Sequence, residues 1–553
     1  MSAPTFDDDF NLFDYFLGDR LEEGHADKVA IRFGDRAWTY ADVHARSRAL
    51  AQYLVHEGLR PEERVYIVLP DVPPFAWAIF ATLAAGGVVA MGNPNAPADD
   101  LRYVLAYVRA RVLVTTPAVA AALADRGGEF PNLRTVLVAP DAATGEDPEA
   151  RVAAEHPAAV SLDAAIAEGR ALDGPLPEVR RDDPAIWLFT SGSTGRAKAA
   201  MHSHRDFAFN TEVYAKRTLG YRASDVAISV PRLFFGYATG TNLWFPFAVG
   251  ATVGLFSERP TAESVAAAIE RYRPTIVTNV PTMIGKLLDL DEERQKRGEP
   301  GLDLSSVRFH LSAGEALPEQ LLRRFTARFG ADVYDGIGSA EMFHIYCSNR
   351  PGDVVPGSLG RAVEGYTLKI LPEEADGAAA PELAPNEIGV LWVKGDSVAH
   401  GYFQDRDKSW KTFHGHWCRT GDLFHIDERG YLWFSGRADD LFKVGGIFVA
   451  PREVEECLLA HGCVSLAAVI PSEDLGLTKP KAVIVVRPDA RERIATAEGR
   501  AALADELKAH VQGKLSKHKY PRWVVFVDDL PKNDRGKVDK KLLLERDRRG
   551  ELS

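Results

Sequence analysis

A glycine- and hydroxyl-rich loop is the strongest local sign of chemistry in this chain of 553 residues. It reads TSGSTGRAK over residues 190–198 and follows the apolar run Ala185–Phe189, which has the composition of a buried strand. Two glycines let the backbone approach a ligand closely, and successive N–H groups and hydroxyl side chains can surround phosphate oxygens. Arg196 and Lys198 add the positive charge that a triphosphate requires. The spacing differs from the Walker pattern, so the loop predicts phosphate binding of another kind, with a plain hairpin turn as the alternative.

Short β-branched runs and amphipathic helical patterns alternate through most of the chain around this loop. This alternation predicts parallel sheets covered by helices. After Gly389, strand-like runs surround fewer helices, which predicts a smaller α+β unit beginning near Asp439. The predicted fold class is α/β, with a large N-terminal domain of parallel-rich sheets at residues 1–438 and a smaller C-terminal domain at residues 439–553. The predicted strands are Val65–Leu69, Val112–Thr115, Thr135–Val138, Thr275–Val280 and Val307–Leu311, and the predicted helices include Tyr40–Glu57 and Ala262–Arg271.

The charge balance is acidic, with 66 Lys and Arg against 78 Asp and Glu and a net charge of −12. Nucleic-acid-binding proteins usually present a basic face, and an anionic membrane would repel this chain. We therefore expect no nucleic acid and no membrane among its partners. An acidic protein that binds anions must concentrate its positive charge locally, as the 190–198 loop does.

Signals for membrane insertion or secretion are weak in this sequence. The uncharged segment Val72–Asn93 has the length of a membrane span, but two prolines open it and a Gly-Gly pair divides it. A helix at Pro74–Ala85 followed by a buried strand at Val88–Met91 is the better prediction. The four cysteines form no CxxC pair, which argues against a zinc ribbon or a redox motif, and free thiols fit a reducing compartment. With no secretory signal at the N-terminus, we expect a cytoplasmic protein.

The 190–198 loop resembles the signature loop of the adenylate-forming superfamily, which comprises acyl- and aryl-CoA ligases, luciferases and the adenylation domains of peptide synthetases. Five further segments resemble the family's motifs and follow in the family's order: SAGEA at 312–316, DGIGSAE at 335–341, TGD at 420–422, GRADD at 436–440 and PKNDRGK at 531–537. The resemblance covers nearly the whole chain. Within the superfamily, DGIGSAEMFHIYCSNRPGD and LFFGYATG are similar to benzoate-CoA ligases and their hydroxy- and aminobenzoate relatives.

The resemblance implies activation of a carboxylate by ATP, with Mg²⁺ as the cofactor and coenzyme A as the acyl acceptor. Lys537 is implied to neutralise the carboxylate and the α-phosphate during adenylation, and Glu341 to bind Mg²⁺. Asp422 resembles the acceptor of the ribose hydroxyls, and Asp335 lies where the family contacts the adenine amine. Outside these motifs, each would be predicted as a surface or turn residue. The implied ATP- and AMP-binding residues are Thr190, Ser191, Gly192, Ser193, Thr194, Gly195, Lys198, Gly314, Glu315, Ala316, Asp335, Gly336, Ile337, Asp422 and Arg437.

The resemblance also implies an acyl pocket of aromatic and small residues that leaves a flat slot for a ring. His344 either offers a hydrogen bond to a ring substituent or is a satisfied core histidine. The small Gly236 and the polar His344 leave benzoate, 2-aminobenzoate and hydroxybenzoates open, so the expected substrate is a small aromatic carboxylic acid. The implied pocket residues are Phe235, Gly236, Tyr237, Ala313, Gly338, His344 and Ile345.

Two further positions are assigned by resemblance to the transfer step. Asp439 matches the family's hinge, about which a mobile C-terminal domain is implied to swing between adenylation and thioester formation. Gly445 and Gly446 are implied to border the pantetheine of coenzyme A, with a hairpin turn as the alternative. One departure concerns Ala340, which stands where the family has threonine and so removes a polar contact worth roughly 1 kcal/mol.

Two alternatives to an aryl-CoA ligase stay open. A stand-alone aryl adenylation enzyme that loads a carrier protein shares every nucleotide motif, and a silent nucleotide-binding regulatory protein is favoured by Ala340 alone. A downstream acyltransferase or carrier protein as partner, and a monomer or a homodimer as the oligomeric state, remain equally open. The pairs His202/His204 and His414/His416 have no metal-ligand pattern, so we expect structural roles for them.

Overall fold

The computed structural model of the chain describes residues 3–124, 128–140, 159–191, 196–315, 317–437, 442–444, 447–474, 477–532 and 538–552. For residues 191, 437, 443, 447, 448, 474 and 477 it describes the backbone alone.

The strands are β1 Val29–Phe33, β2 Arg36–Thr39, β3 Arg64–Val68, β4 Val88–Met91, β5 Val112–Thr115, β6 Thr135–Val138, β7 Ala159–Ser161, β8 Pro184–Ser191, β9 Ala197–Ser203, β10 Val226–Ser229, β11 Thr252–Leu255, β12 Ile276–Asn279, β13 Phe309–Ser312, β14 Asp332–Gly338, β15 Ile345–Ser348, β16 Arg361–Ala362, β17 Thr367–Leu371, β18 Gly389–Lys394, β19 Phe413–His414, β20 Trp417–Ile426, β21 Leu432–Arg437, β22 Phe442–Val444, β23 Ile447–Val449, β24 Val464–Asp474, β25 Leu477–Val486 and β26 Trp523–Phe526.

The α-helices are α1 Asp19–Glu22, α2 Tyr40–His56, α3 Pro73–Ala84, α4 Ala98–Tyr107, α5 Pro117–Ala122, α6 Leu162–Gly169, α7 His204–Asn210, α8 Gly236–Thr239, α9 Phe245–Phe247, α10 Ala262–Tyr272, α11 Pro281–Lys296, α12 Glu319–Phe329, α13 Arg406–Thr412, α14 Pro451–Leu459, α15 Ala497–Gln512 and α16 Lys540–Arg548. Short π-helical segments lie at Asp14–Gly18, Thr211–Leu219 and Gly240–Trp244, and 3₁₀ turns lie at Ala340–Met342 and Pro488–Ile494.

Sheet A has seven strands in the order β7-β6-β5-β3-β4-β8-β9. Adjacent strands of this sheet run parallel, except that β8 and β9 form an antiparallel hairpin in which Thr190 pairs with Lys198. The central strands β4, β5 and β6 are buried along their whole length, as parallel strands covered by helices on both faces must be.

Sheet B has nine strands in the order β16-β15-β14-β13-β12-β10-β11-β1-β2. The strands from β14 to β1 run parallel, and antiparallel pairs close both edges. In parallel sheets ligands bind beyond the carboxyl ends of the strands. Thr190, near the end of β8, and the 339–341 segment, which follows β14, lie at such ends.

Helix α3 forms the centre of the largest hydrophobic core. Two prolines occupy its first turn, where no N–H partner is lost, and all of its residues from Pro73 to Ala84 are buried. The helix packs among the aromatic rings of the same cluster, with the centroid of Phe80 5.4 Å from those of Trp244 and Phe247. The uncharged segment therefore folds as predicted, into a helix and the buried strand β4. Among the helices that the structure describes, none is long and apolar enough to cross a membrane.

The remaining strands form three smaller sheets within the described ranges. Strands β17 to β21 make an antiparallel sheet, β22 and β23 a hairpin, and β24, β25 and β26 a three-stranded sheet. Helices α14 and α15 share with these last strands a hydrophobic cluster made only of residues beyond 441. A separate C-terminal core thus exists, while the predicted hinge Asp439 lies outside the described residues.

Candidate active site

The predicted phosphate loop is the connection of the β8–β9 hairpin. Residues 192–195, which include Gly192, Ser193, Thr194 and Gly195, lie outside the described residues, and of Ser191 the backbone alone is described. Thr190 and Lys198 face each other across the two strands. The Lys198 ammonium is 2.7 Å from a carboxylate oxygen of Asp405, so its charge is already balanced within the described structure.

Glu341 lies in the 3₁₀ turn that leads from β14 toward β15. Its carboxylate accepts a hydrogen bond of 2.7 Å from the Tyr402 hydroxyl, and its carbonyl accepts one of 2.8 Å from the Ala399 N–H. Among the described residues no lysine or arginine forms an ion pair with Glu341. Its side-chain partner Tyr402 is a neutral donor, and oxygen ligands are those that Mg²⁺ prefers, so this residue fits the implied metal.

Asp335 is buried in the middle of β14, opposite Ser312 at the end of β13. One carboxyl oxygen, Oδ2, accepts a hydrogen bond of 3.3 Å from the Leu317 N–H, while Oδ1 is buried without a partner among the described residues. Burial raises the pKa of Asp335 to about 7, against the lowering effect of Ser312 and Leu317. An unpaired, buried acceptor is what an adenine amine would satisfy.

The structure describes all but one of the other predicted adenine neighbours of Asp335. Gly314 follows β13 with a φ of +89°, which favours glycine, and the Glu315 carboxylate accepts a hydrogen bond of 2.9 Å from Thr282. Gly336 must be small because an added Cβ would be 2.9 Å from the Cys347 carbonyl oxygen of the paired strand. Ile337 is half-buried beside it, and Ala316 lies outside the described residues.

The predicted ribose residues lie on neighbouring strands. Asp422 of β20 pairs in register with Arg437 of β21, although of Arg437 only the backbone is described. Burial, together with nearby Cys418, Asp422 and Glu341, raises the pKa of Tyr346 well above its usual range. Both of the carboxylates predicted from separate motifs, Asp422 and Glu341, thus act electrostatically on one buried tyrosine.

The predicted acyl pocket is built at the start of α8 and the end of β14. The His344 Nε2 donates a hydrogen bond of 3.0 Å to the Tyr237 carbonyl, which leaves Nδ1 as a buried acceptor without a partner in the described structure. The Tyr237 hydroxyl is likewise buried and unpaired there, and the two rings are 5.4 Å apart between centroids. Burial lowers the pKa of His344 to about 4, so its imidazole is neutral at pH 7.

Glycines give the His344 ring its space. An added Cβ on Gly240 would be 2.3 Å from the ring, and one on Gly338 would be 2.4 Å from the His344 carbonyl oxygen. An added Cβ on Gly236 would be 3.2 Å from the Leu188 side chain. The pocket residues Gly236, Tyr237, Gly338 and His344 are therefore in mutual contact or close to it.

The remaining predicted pocket residues lie at its margins. Ala313 and Ile345 are buried in the same hydrophobic cluster as Tyr237, and the Ile345 carbonyl accepts a hydrogen bond of 2.9 Å from Asn210. Phe235 is half-buried at the start of α8, with its ring 4.5 Å from that of Phe234. The predicted catalytic lysine, Lys537, lies outside the described residues. So do Gly445 and Gly446, which were predicted to border coenzyme A.

Comparison with known proteins agrees with this geometry. Residues 19–403 match the model of the AMP-binding enzyme family, and residues 453–537 match the C-terminal domain of AMP-binding enzymes. The chain belongs to the AMP-binding enzyme family. This AMP-binding enzyme is 38% identical over 533 residues to the benzoate–CoA ligase of Thauera aromatica, covering 96% of the chain and 95% of that relative.

Two solved structures resemble this AMP-binding enzyme over nearly its whole length. The anthranilate CoA ligase AuaEII in complex with anthranoyl-AMP has a TM-score of 0.86 at 32% identity, covering 99% of this chain and 98% of that one. A benzoate CoA ligase from Burkholderia xenovorans LB400 has a TM-score of 0.81 at 34% identity, covering 97% and 99%. The predicted α/β fold, a large N-terminal part with a smaller C-terminal part, is confirmed.

Sequence patterns did not point to the residues that hold Glu341 in this AMP-binding enzyme. Tyr402, its hydroxyl donor, is 61 residues away along the chain. His202, predicted to be structural, donates a hydrogen bond of 2.7 Å to the Ala340 carbonyl next to Glu341, and Asp206 is 2.9 Å from its other ring nitrogen. The only sequence signal was the spacing of four between His202 and Asp206, which many unrelated pairs share.

Proposed function

We propose that the protein is an aryl-CoA ligase that activates benzoate or a substituted benzoate. An acid oxygen attacks the α-phosphorus of ATP, giving the aryl-adenylate and pyrophosphate. The thiolate of coenzyme A then attacks the acyl carbon, giving the aryl thioester and AMP. One observation carries the proposal: the segment from Gly338 to Ile345 supplies both the metal-binding carboxylate Glu341 and the acyl-pocket residue His344. The reacting carboxylate and the nucleotide would thus meet on two sides of one turn.

The residues divide the work of binding and charge neutralisation. Asp335 accepts the adenine amine and Asp422 the ribose hydroxyls, which orients the α-phosphate toward the acyl pocket. Lys537 is proposed to neutralise the charge that develops between the carboxylate and the α-phosphate. Glu341 holds Mg²⁺, which neutralises phosphate charge when it is bound. The C-terminal domain is proposed to swing about Asp439, removing Lys537 and bringing Gly445 and Gly446 beside the pantetheine.

Coenzyme A rather than a carrier protein is the proposed acceptor. The three proteins compared above are named as CoA ligases, and they match the chain over at least 95% of their own lengths. We also propose a cytoplasmic location, because ATP and coenzyme A are abundant there and the four cysteines are free thiols.

The acid is proposed to carry a hydroxyl or amino substituent. His344 Nδ1 and the Tyr237 hydroxyl are both buried and unpaired among the described residues, and leaving such groups unsatisfied costs about 1–3 kcal/mol each. An unsubstituted ring would leave them so, whereas a hydroxyl or amino group can donate to Nδ1. A substituted benzoate should therefore have a kcat/KM roughly 5- to 10-fold above that of benzoate.

The test is a pyrophosphate-release screen over benzoate, 2-aminobenzoate and the hydroxybenzoates, with short fatty acids as controls. Thioester formation is then measured with free coenzyme A and with a carrier protein. We expect aryl acids alone to release pyrophosphate and free coenzyme A to accept the acyl group. Preference for a fatty acid, or for the carrier protein, would contradict the proposal.

A Gly240→Ala variant tests the acyl pocket directly. The added methyl group overlaps the His344 ring, and overpacking of this kind costs about 1–3 kcal/mol, so KM for the acid should rise roughly 5- to 150-fold. KM for ATP should stay unchanged. Gly377→Ala is the matched control, because an added Cβ there has no neighbour within 4 Å. Equal KM values for the acid in both variants would place the acid elsewhere.

A further inference from the structure

A buried hydrogen-bonded chain leads from α7 to the turn that carries Glu341. His202 and Asp206 are 0% and 2% exposed, and the His202 Nδ1 is 2.9 Å from Asp206 Oδ2. The other ring nitrogen, Nε2, is 2.7 Å from the carbonyl oxygen of Ala340. Both nitrogens of one buried imidazole are therefore engaged, and the ring has a single orientation.

The proton positions follow from the partners. A carbonyl oxygen only accepts, so the His202 Nε2 must carry a hydrogen and donate it to Ala340. Asp206 accepts from the Ser203 N–H at 3.1 Å and from the Ser203 hydroxyl at 2.8 Å, and these bonds also cap α7. The capping bonds hold Asp206 in place, and Asp206 in turn fixes the imidazole ring through Nδ1.

The turn that the pair contacts is strained and needs outside contacts to persist. Phe343, two residues after Glu341, has φ +67° and ψ −59°, and the His344 N–H closes the turn on the Met342 carbonyl at 2.9 Å. This is the γ-turn with positive φ, which is rare and strained for a side chain other than glycine. Ala340 has only a methyl group, so its carbonyl is the one acceptor by which residue 340 can be held.

We propose that His202, oriented by Asp206, is a positioning residue for Glu341 and acts through the Ala340 carbonyl. It fixes the start of the strained turn, while Tyr402 and Ala399 fix Glu341 itself. Its consequence is a preformed metal-binding carboxylate. This inference rests on the proposed role of Glu341 as the Mg²⁺ ligand.

Two substitutions at one position separate the two ends of the imidazole. In His202→Asn the amide reaches Asp206 as Nδ1 does but stops short of Ala340, whereas in His202→Gln the amide reaches the Nε2 position and can still donate to the carbonyl. The matched control is His204→Asn: His204 is equally buried, two residues away, and its Nδ1 accepts a hydrogen bond of 3.1 Å from the Leu12 N–H, which an asparagine oxygen can replace.

The readout is the dissociation constant of Mn²⁺ from the enzyme–ATP complex, measured by electron paramagnetic resonance without the acid. In parallel, the Mg²⁺ concentration for half-maximal ATP–pyrophosphate exchange is measured. We expect both values to rise roughly 10-fold in His202→Asn, because the partly buried Ala340 carbonyl loses its donor. His202→Gln and His204→Asn should match the wild type in both.

Thermal unfolding in the absence of nucleotide separates folding from positioning. Unchanged Mn²⁺ affinity in His202→Asn, an equal loss in His204→Asn, or an equal loss in His202→Gln would each overturn the proposal. The proposed function fails in a different way, if the wild-type enzyme exchanges pyrophosphate with no aryl acid. The Mn²⁺ measurement does not depend on that result, so the two failures are distinguishable.

Discussion

At the scale of single residues, the proposed contact of Asp335 with the adenine amine depends on the protonation state of its carboxyl group. Oδ2 already accepts from Leu317, so a proton added to this buried carboxyl goes to the unpaired Oδ1 and changes it from an acceptor into a donor. An adenine amine also donates, and the protonated form therefore cannot bind it. With the pKa raised to about 7 by burial, the ionised form predominates only above pH 7.

We expect KM for ATP to rise roughly fivefold as the pH falls from 8 to 6, because the lost hydrogen bond is worth about 1 kcal/mol. Asp335→Asn is the control, since its amide oxygen accepts at every pH. The ratio of wild-type to variant KM cancels the ionisation of ATP itself. A ratio that stays constant between pH 6 and pH 8 would show that Asp335 does not face the amine.

Sequence motifs identified the acidic residues of the candidate site, but not their pKa values or their hydrogen-bond partners. Glu341, Asp335 and Asp422 each stand in an ordered motif, and Glu341 and Asp422 both raise the pKa of Tyr346. The pKa of Asp335 depends on burial by strands far apart in the chain, so no local pattern contains it. The same holds for Tyr402, whose bond to Glu341 spans 61 residues.

At the scale of elements, the turn between β14 and β15 stores strain at Phe343. The Phe343 ring packs 4.0 Å from that of Phe207, between centroids, and its removal costs about 3–5 kcal/mol. Glycine adopts a positive φ freely, whereas alanine at position 343 would be strained by about 1 kcal/mol or more. We therefore expect Phe343→Gly to be more stable than Phe343→Ala by about 1 kcal/mol, measured as the free energy of unfolding in urea.

The control for this order is Phe245, which is also fully buried but has φ −65°. There glycine should be less stable than alanine, since it loses more backbone entropy on folding. If Phe343→Gly is also less stable than Phe343→Ala, the turn stores no strain.

The regular elements and the fold class were predicted well, whereas the order of the strands within each sheet was not predicted. The runs Val112–Thr115 and Thr135–Val138 are strands with the predicted bounds, because β-branched residues buried on both faces determine them locally. The pairing of β1 with β11 joins residues more than two hundred positions apart. Sheet order depends on such distant register, and the γ-turn at Phe343 on packing around it, so neither has a local signal.

At the scale of the whole molecule, the described part of the site is rich in negative charge. Glu341, Asp335, Asp422 and Glu315 surround it, while Lys198 is balanced by Asp405. ATP and an aryl carboxylate are both anions. The proposed sources of further positive charge are Mg²⁺ and Lys537 of the C-terminal domain.

If Lys537 acts only while the carboxylate attacks the α-phosphate, its substitution should affect the first half-reaction and not the second. We expect Lys537→Ala to slow adenylation by roughly 100-fold or more, as loss of a charge-stabilising group does, and to leave thioester formation from supplied aryl-adenylate largely intact. Lys532→Ala is the matched control in the same sequence motif, because Lys532 pairs with Asp529 at 3.8 Å and its backbone bridges to Val538. Pyrophosphate release and thioester formation are measured separately for both variants. Equal losses in both half-reactions of Lys537→Ala would mean that the lysine supports the fold or the binding of AMP, and that the charge in the adenylation step is neutralised by another group.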